Sequence, residues 1–197
     1  MRIIPGFTPK KSEGGAFAPL PVGGHGVVCR MAHIRQMDSN GREKLVVEFD
    51  VAEGPHAGFF AKRYEADAQY ANRRWRGTYD VILPTGAGDE KDEWSRKRLG
   101  HFIACVEESN PGYKWNWDEK TLRGMRFCAI FRECEWKDHS GTVRTGTECG
   151  GVASIKDMLS GTIPEIRKRT LKKEGQYGGS SGYYAPAPDE EGLPWDR

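Results

Sequence analysis

The clearest periodicity lies between residues 45 and 52, where Leu45, Val47, Phe49 and Val51 alternate with Val46, Glu48, Asp50 and Ala52. A period of two places one apolar face on a core and one polar face toward solvent or a ligand, so this segment predicts a half-buried strand. It is the return arm of a hairpin. His25 to Met37, carrying Val27, Val28, Cys29, Met31 and Ile34, reads as a partly two-sided strand, and Asp38-Ser39-Asn40-Gly41 joins the two because Asn-Gly readily accepts positive φ. A second hairpin is predicted from Met125 to Lys137 and from Thr142 to Ser154, around Asp138-His139-Ser140-Gly141.

Between the hairpins the period changes. Leu99, Phe102, Ile103 and Val106 fall at i, i+3, i+4 and i+7, which predicts a helix from Glu90 to Glu108 that ends at Asn110-Pro111-Gly112. Ahead of it, Gly54-Pro55-His56-Ala57-Gly58 turns the chain into Phe59 to Tyr64 and a basic, aromatic stretch running to Tyr79, where at least one more strand is expected. Trp115 and Trp117, alternating around Asn116 beyond the helix end, are expected to cap the structure. Residues 1–24, rich in Pro and Gly, read as an irregular arm that packs through Phe7, Phe17 and Leu20. No internal repeat is visible.

The element order is that of an OB-fold: a mainly β, five-stranded Greek-key barrel with its helix between strands three and four. The expected organisation is an arm over 1–24, an OB-fold-like domain over 25–165, and a basic run, linker and acidic tip over 166–197. At 197 residues the chain has enough folded length for one well-buried domain and too little for two comfortable ones.

Charge adds a polarity that composition hides. The net of +2 is split, because residues 175–197 hold four acids and one arginine, which leaves a surplus of +5 on residues 1–174. A basic body with an acidic tail suits a binder of polyanions. The cysteines, Cys29, Cys105, Cys128, Cys134 and Cys149, are odd in number, contain no Cys-x-x-Cys pair and sit mostly in apolar runs. That argues against structural zinc, implies no metal or cofactor, and points to a reducing compartment. Pro5 and Pro9 stand where a signal peptide needs an apolar core, and no run of 18 or more apolar residues appears, so a soluble intracellular protein is expected, with no membrane partner.

Two segments interleave aromatic rings with cations, the residue kinds that stack on bases and track phosphates of single strands. The first holds Lys62, Arg63 and Tyr64, then Arg73, Arg74, Trp75, Arg76 and Tyr79; the second is the hairpin tip with Trp136, Lys137, His139 and Arg144. Trp75 stands out because Arg74 and Arg76 flank it, so burying it would drag charge inward. For the other rings core packing is the competing role. A weaker pattern is Glu133-Cys134-Glu135-Trp136-Lys137, which with Asp118 or Asp80 would imitate the Mg²⁺ site of a nuclease. Gly86-Ala87-Gly88 lacks the Gly-Lys-Ser of a phosphate loop. The basic run Arg167, Lys168, Arg169, Lys172 and Lys173 is expected to be a solvated face or a holder of the acidic tail.

The last residues carry the most specific signal. Gly178-Gly179-Ser180-Ser181-Gly182 and Ala185-Pro186-Ala187-Pro188 have the composition of a flexible tether, and they lead into Asp189, Glu190, Glu191, Gly192, Leu193, Pro194 and Trp195. This ending resembles the C-terminal tip of bacterial and phage single-stranded DNA-binding proteins, in which acids precede a branched aliphatic, Pro and an aromatic. Here Trp195 replaces the usual Phe, and Asp196 and Arg197 follow it. The body is more loosely similar to single-strand binders of phage and prophage replication modules through Leu45 to Gly58 and Val106 to Lys120. The resemblance implies a non-catalytic binder of single-stranded DNA in a bacterial host cytoplasm. Its tip, Asp189, Glu190, Glu191, Leu193, Pro194 and Trp195, would recruit replication, recombination or repair proteins, and homo-oligomers are compatible with it. A protein-interaction adaptor and a Mg²⁺ nuclease remain the alternatives.

Overall fold

The computed structural model describes residues 18–37, 41–71, 73–138 and 140–171. The acidic tip, the tether, Lys172, Lys173 and most of the N-terminal arm therefore lie outside the described residues. Five strands form one antiparallel sheet: β1 (Gly23–Gln36), β2 (Glu43–Val51), β3 (Thr78–Ile82), β4 (Arg126–Lys137) and β5 (Val143–Ala153). Their order across the sheet is β3-β2-β1-β4-β5. Helix α1 (Phe59–Ala66) lies between β2 and β3, α2 (Glu90–Ser109) between β3 and β4, and α3 (Ile155–Ser160) follows β5.

β1 is the spine. Its first half pairs with β4, from Gly23↔Phe131 to Val28↔Arg126, and its second half pairs with β2 as far as Gln36↔Glu43. The register shifts between Cys29 and Met31, a bulge of the kind that bends a strand and raises its twist where partners change. The two outer strands, β3 and β5, share no ladder among the described residues, yet they approach with Cα atoms within 8 Å.

The alternation in β2 is realised as expected: Leu45, Val47, Phe49 and Val51 are buried, and Glu48 and Asp50 stand on the opposite face. α2 lays Leu99, Phe102 and Val106 on the sheet, with Phe102 edge-on to Phe127 at 5.6 Å and Phe127 edge-on to Phe49 at 5.7 Å. Asp89 caps the helix, its carboxylate accepting the Asp92 N–H at 2.7 Å.

The segment Phe59 to Tyr64, for which the sequence pattern specifies no element of its own, lies in the helix α1. Its cause lies ten residues upstream. The Asp50 carboxylate on β2 accepts the N–H groups of Phe60 at 2.9 Å and Ala61 at 3.0 Å, satisfying the open first turn from outside the helix. The strand expected before Tyr79 is the short β3, which begins only at Thr78. Trp117 also departs from expectation: Trp115 packs against the core, but Trp117 is 79% exposed and caps nothing.

Candidate nucleic-acid interface

A groove of about 1110 Å³ runs across the outer face of β1, β2 and β3 and up against the β4–β5 hairpin. The pairings explain why these strands share it. His33 lies opposite Val46 and Val46 opposite Asp80, while Arg35 lies opposite Lys44, so the face turned away from the core carries successive rows of polar side chains. The groove brings the two aromatic-basic segments together: Arg63, Arg74, Trp75 and Arg76 line one side, and Trp136 and Arg144 the other.

Trp75 is half-buried and held on several sides. Its indole N–H donates to the Phe49 carbonyl at 3.0 Å, the Arg30 guanidinium lies 4.2 Å from its ring centroid, and Phe60 and Tyr64 approach at 6.5 and 5.8 Å. Trp136 is 42% exposed and lies across β5, where a Cβ on Gly146 would sit 2.9 Å from the ring. Only glycine leaves room for that indole to lie flat on the strand.

Nine Lys or Arg side chains and four carboxylates line the groove. All four carboxylates are engaged: Glu48 with Arg30 at 4.0 Å, Asp67 with Arg76 at 3.7 Å, Asp80 with Lys44, and Glu148 with Arg132 at 3.2 Å and with Nε and Nη2 of Arg169 at 2.6 and 2.7 Å. Positive charge is left in surplus. Burial and the neighbouring Arg76 charge pull the Arg63 guanidinium below its usual range, against the pull of Asp67. A guanidinium so crowded gains from any anion that enters.

Not every expected contact is available to a ligand in this groove, and Tyr79, although it reaches the groove's floor, is one that is not. Tyr79 is buried in the core, with Phe102 at 5.9 Å and the Arg98 guanidinium at 5.4 Å from its ring, so no face is open for a base to stack on. Burial also pushes its hydroxyl pKa up. Lys62 donates to the Ala57 carbonyl at 2.9 Å, and Arg73 covers the Tyr64 ring at 4.5 Å; these three and Lys137 are not among the lining residues. His139 lies outside the described residues. His33, Arg35, Lys44 and Arg98 are groove residues that sequence reasoning missed, while Arg132, at the start of the second hairpin, and Arg169, in the basic run, line the groove without having been assigned to it. Lys44 carried a signal, since it extends the polar phase of β2; Arg98 arrives from a distant segment and carried none.

Within the described part of the basic run, Arg167 and Lys168 are exposed as expected of a solvated face, while Arg169 straps the segment to β4. Arg169 donates its N–H to the Glu133 carbonyl and accepts from the Glu135 N–H, both at 2.9 Å, in a short parallel bridge to β4. Lys168 reaches Glu133 at 3.4 Å and Glu135 at 2.9 Å. The Lys168 ammonium and the Leu171 N–H hold the Glu135 carboxyl below its usual range. The two glutamates of the nuclease-like fragment thus face a lysine, and no group of three or more metal-ligating side chains occurs among the described residues.

The cysteines are all free thiols, and burial pushes Cys29, Cys105 and Cys149 up to about 12. Cys105 lies 3.6 Å from His101 Nε2, yet a thiol raised that far is not a nucleophile at neutral pH. No helix of the described residues is long and apolar enough to cross a membrane.

Fold and site together define a mainly β protein with a five-stranded antiparallel sheet and a basic, tryptophan-lined groove on the sheet's outer face. Compared with known proteins, the chain matches no family model and no curated relative.

Proposed function

We propose that the chain is a non-catalytic single-stranded DNA-binding protein of a phage-type replication or recombination system, acting in the cytoplasm of a bacterial host. The observation that carries this is the convergence of Trp75 and Trp136, distant in sequence, on one groove whose carboxylates are all paired while cations remain in surplus. Trp136, the more open ring, supplies sequence-tolerant stacking against the wall that Trp75 forms, and cations track the phosphates. The sheet order supports an OB-fold-like body: a barrel built from β3-β2-β1-β4-β5 closes between β3 and β5, the two edges that approach each other, and the long helix falls between strands three and four. The OB-fold uses its strand-two and strand-three face and the loop between strands four and five to hold oligonucleotides, and the groove has that address.

The acidic tip, Asp189 to Trp195, recruits replication or repair enzymes in this scheme. Fluorescence titration of the intact protein with oligo-dT at two salt concentrations, with and without Mg²⁺, tests the proposal. Tryptophan quenching that weakens with salt, with the strand intact on a gel, is the expected result. Absence of quenching at low salt would sink it in favour of a protein adaptor, and a strand shortened only with Mg²⁺ would replace it with a nuclease.

A further inference from the structure

Trp117 is the most exposed aromatic side chain of the described residues and also the single non-glycine residue among them with positive φ, at 66°. Both features carry a cost. The left-handed backbone is unfavourable for a bulky side chain, and an indole left in water forgoes burial.

The surrounding loop is built to hold this conformation. Tyr113 and Thr121 are joined through their hydroxyls at 3.0 Å. The Asn116 side-chain oxygen accepts the Asp118 N–H at 3.1 Å and the Thr121 hydroxyl at 3.3 Å. The Trp115 N–H donates to Glu107 at 2.9 Å, and Asp118 accepts the Lys120 N–H at 3.0 Å. Trp115 itself is packed against the core 6.4 Å from Trp117, and its indole N–H is buried with no acceptor. A rigid loop that presents a strained, exposed ring is preorganised for a partner.

The charges around the ring are mixed, with Asp118 and Glu119 directly after it and two cations beyond them. Lys120 and Arg123 stand exposed on the turn that follows Trp117. That turn is tied directly to the groove wall: Gly124 N–H donates to the Cys29 carbonyl and Cys29 N–H to the Met125 carbonyl, both at 2.8 Å, and the next residue, Arg30, is the one stacked on Trp75.

We propose that Trp117, with Lys120 and Arg123, is a second stacking site for single-stranded nucleic acid, taking bases that run past the Trp75 side of the groove. This rests on the groove's being the primary site. It makes the occluded length of strand longer than the groove alone would cover, and it makes Trp117 matter only for strands long enough to reach it.

The test compares the full-length wild type with Trp117→Ala and Trp117→Gly on oligo-dT of about 8 and about 30 nucleotides, bracketing the usual site size of one such domain. Expected is a loss of about tenfold in affinity for the long strand and no change for the short one, in both variants. Trp117→Gly should melt at or above the wild-type temperature, because glycine relieves the positive φ, so weaker binding could not be ascribed to misfolding. Trp117→Phe should recover most of the long-strand affinity.

If the wild type binds both strands and Trp117→Ala binds them equally well, the second site is refuted while the groove stands, and Trp117 faces a protein instead. If Trp117→Ala weakens both lengths alike, Trp117 belongs to the primary site and the extension is refuted. If the wild type binds neither strand, the groove reading fails and takes the second site with it.

Discussion

Trp75 and Trp136 face the same groove and are held there by opposite means. Trp75 belongs to the β2–β3 side, where its N–H is satisfied by the Phe49 backbone, its face is covered by Arg30 and its edges meet Phe60 and Tyr64. Trp136 belongs to the β4–β5 hairpin, where it rests on the bare backbone of Gly146 and keeps 42% of its surface in water. One ring is a wall tied into the fold on several sides; the other is a platform resting on a single strand. Flanking charge had singled out Trp75 as the ring least suited to burial, yet Arg74 and Arg76 are exposed on either side of it. The strand-like alternation takes the two charges outward while the indole turns in.

The largest expected effect comes from the wall. Trp75→Ala should lower the unfolding free energy by about 2–3 kcal/mol, because it empties a half-buried aromatic site and orphans a backbone carbonyl. Denaturant unfolding of the purified variant measures it. A loss below about 0.5 kcal/mol, the range of ordinary surface substitutions, would show that the indole is not structural and would erase the contrast.

Trp136→Ala should do the reverse. Stability stays within about 0.5 kcal/mol of wild type, while affinity for single-stranded DNA drops by about tenfold, the worth of one stacked base. Calorimetric titration beside a melting curve separates the two quantities. A variant that melts early but binds normally would exchange the roles assigned to the two tryptophans.

Acid should reach the two sides differently. On the β2–β3 side Asp92 is fully buried. Burial opposes its charge, but the Thr85 N–H and hydroxyl, the Arg96 guanidinium at 3.2 Å and the Gly86 N–H outweigh it and hold the carboxyl at about 2, against an ordinary value of 3.8. A depressed native pKa contributes stability that is complete above the unfolded value, so this contribution is lost as pH falls from about 4 through 2. Asp92→Asn should flatten that acid limb in pH-dependent denaturation while lowering stability at neutral pH. At the hairpin tip, the Ser140 hydroxyl and Arg144 also hold Asp138 below its usual range, so by the same linkage Asp138→Asn should remove its own share of the limb, a smaller one because this clasp lies at a solvent-screened turn.

How far these sides were legible in the sequence follows from where their causes lie. Period-two alternation in β2 and the i, i+3, i+4, i+7 spacing of Leu99, Phe102, Ile103 and Val106 are local patterns, and both elements form where they predict. α1 leaves no local signal of this kind because its stabilising group, Asp50, sits on the preceding strand and caps it through space. In the groove, Arg63, Arg74, Trp75, Arg76, Trp136 and Arg144 could be found from interleaving alone. Tyr79 shares their composition, but its phase on β3 turns it to the core, opposite Val47. Arg98 and Arg169 enter from α2 and from the strap, a matter of packing geometry that no spacing in the chain encodes.

The smallest expected effect is also the sharpest probe of the cations on each side. Among the described residues Arg74 is exposed with no carboxylate partner, whereas Arg144 donates to Asp138 at 2.9 Å. A cation that meets phosphate without first leaving a carboxylate contributes fully to counterion release, so Arg74→Ala should reduce the slope of log K against log salt by about 0.7 for a single strand. Arg144→Ala should reduce it by less, since its charge is already partly neutralised in the free protein. Equal slopes for the two variants would mean that the hairpin releases Arg144 from Asp138 on binding, and Asp138→Asn, which frees that guanidinium beforehand, should then raise affinity.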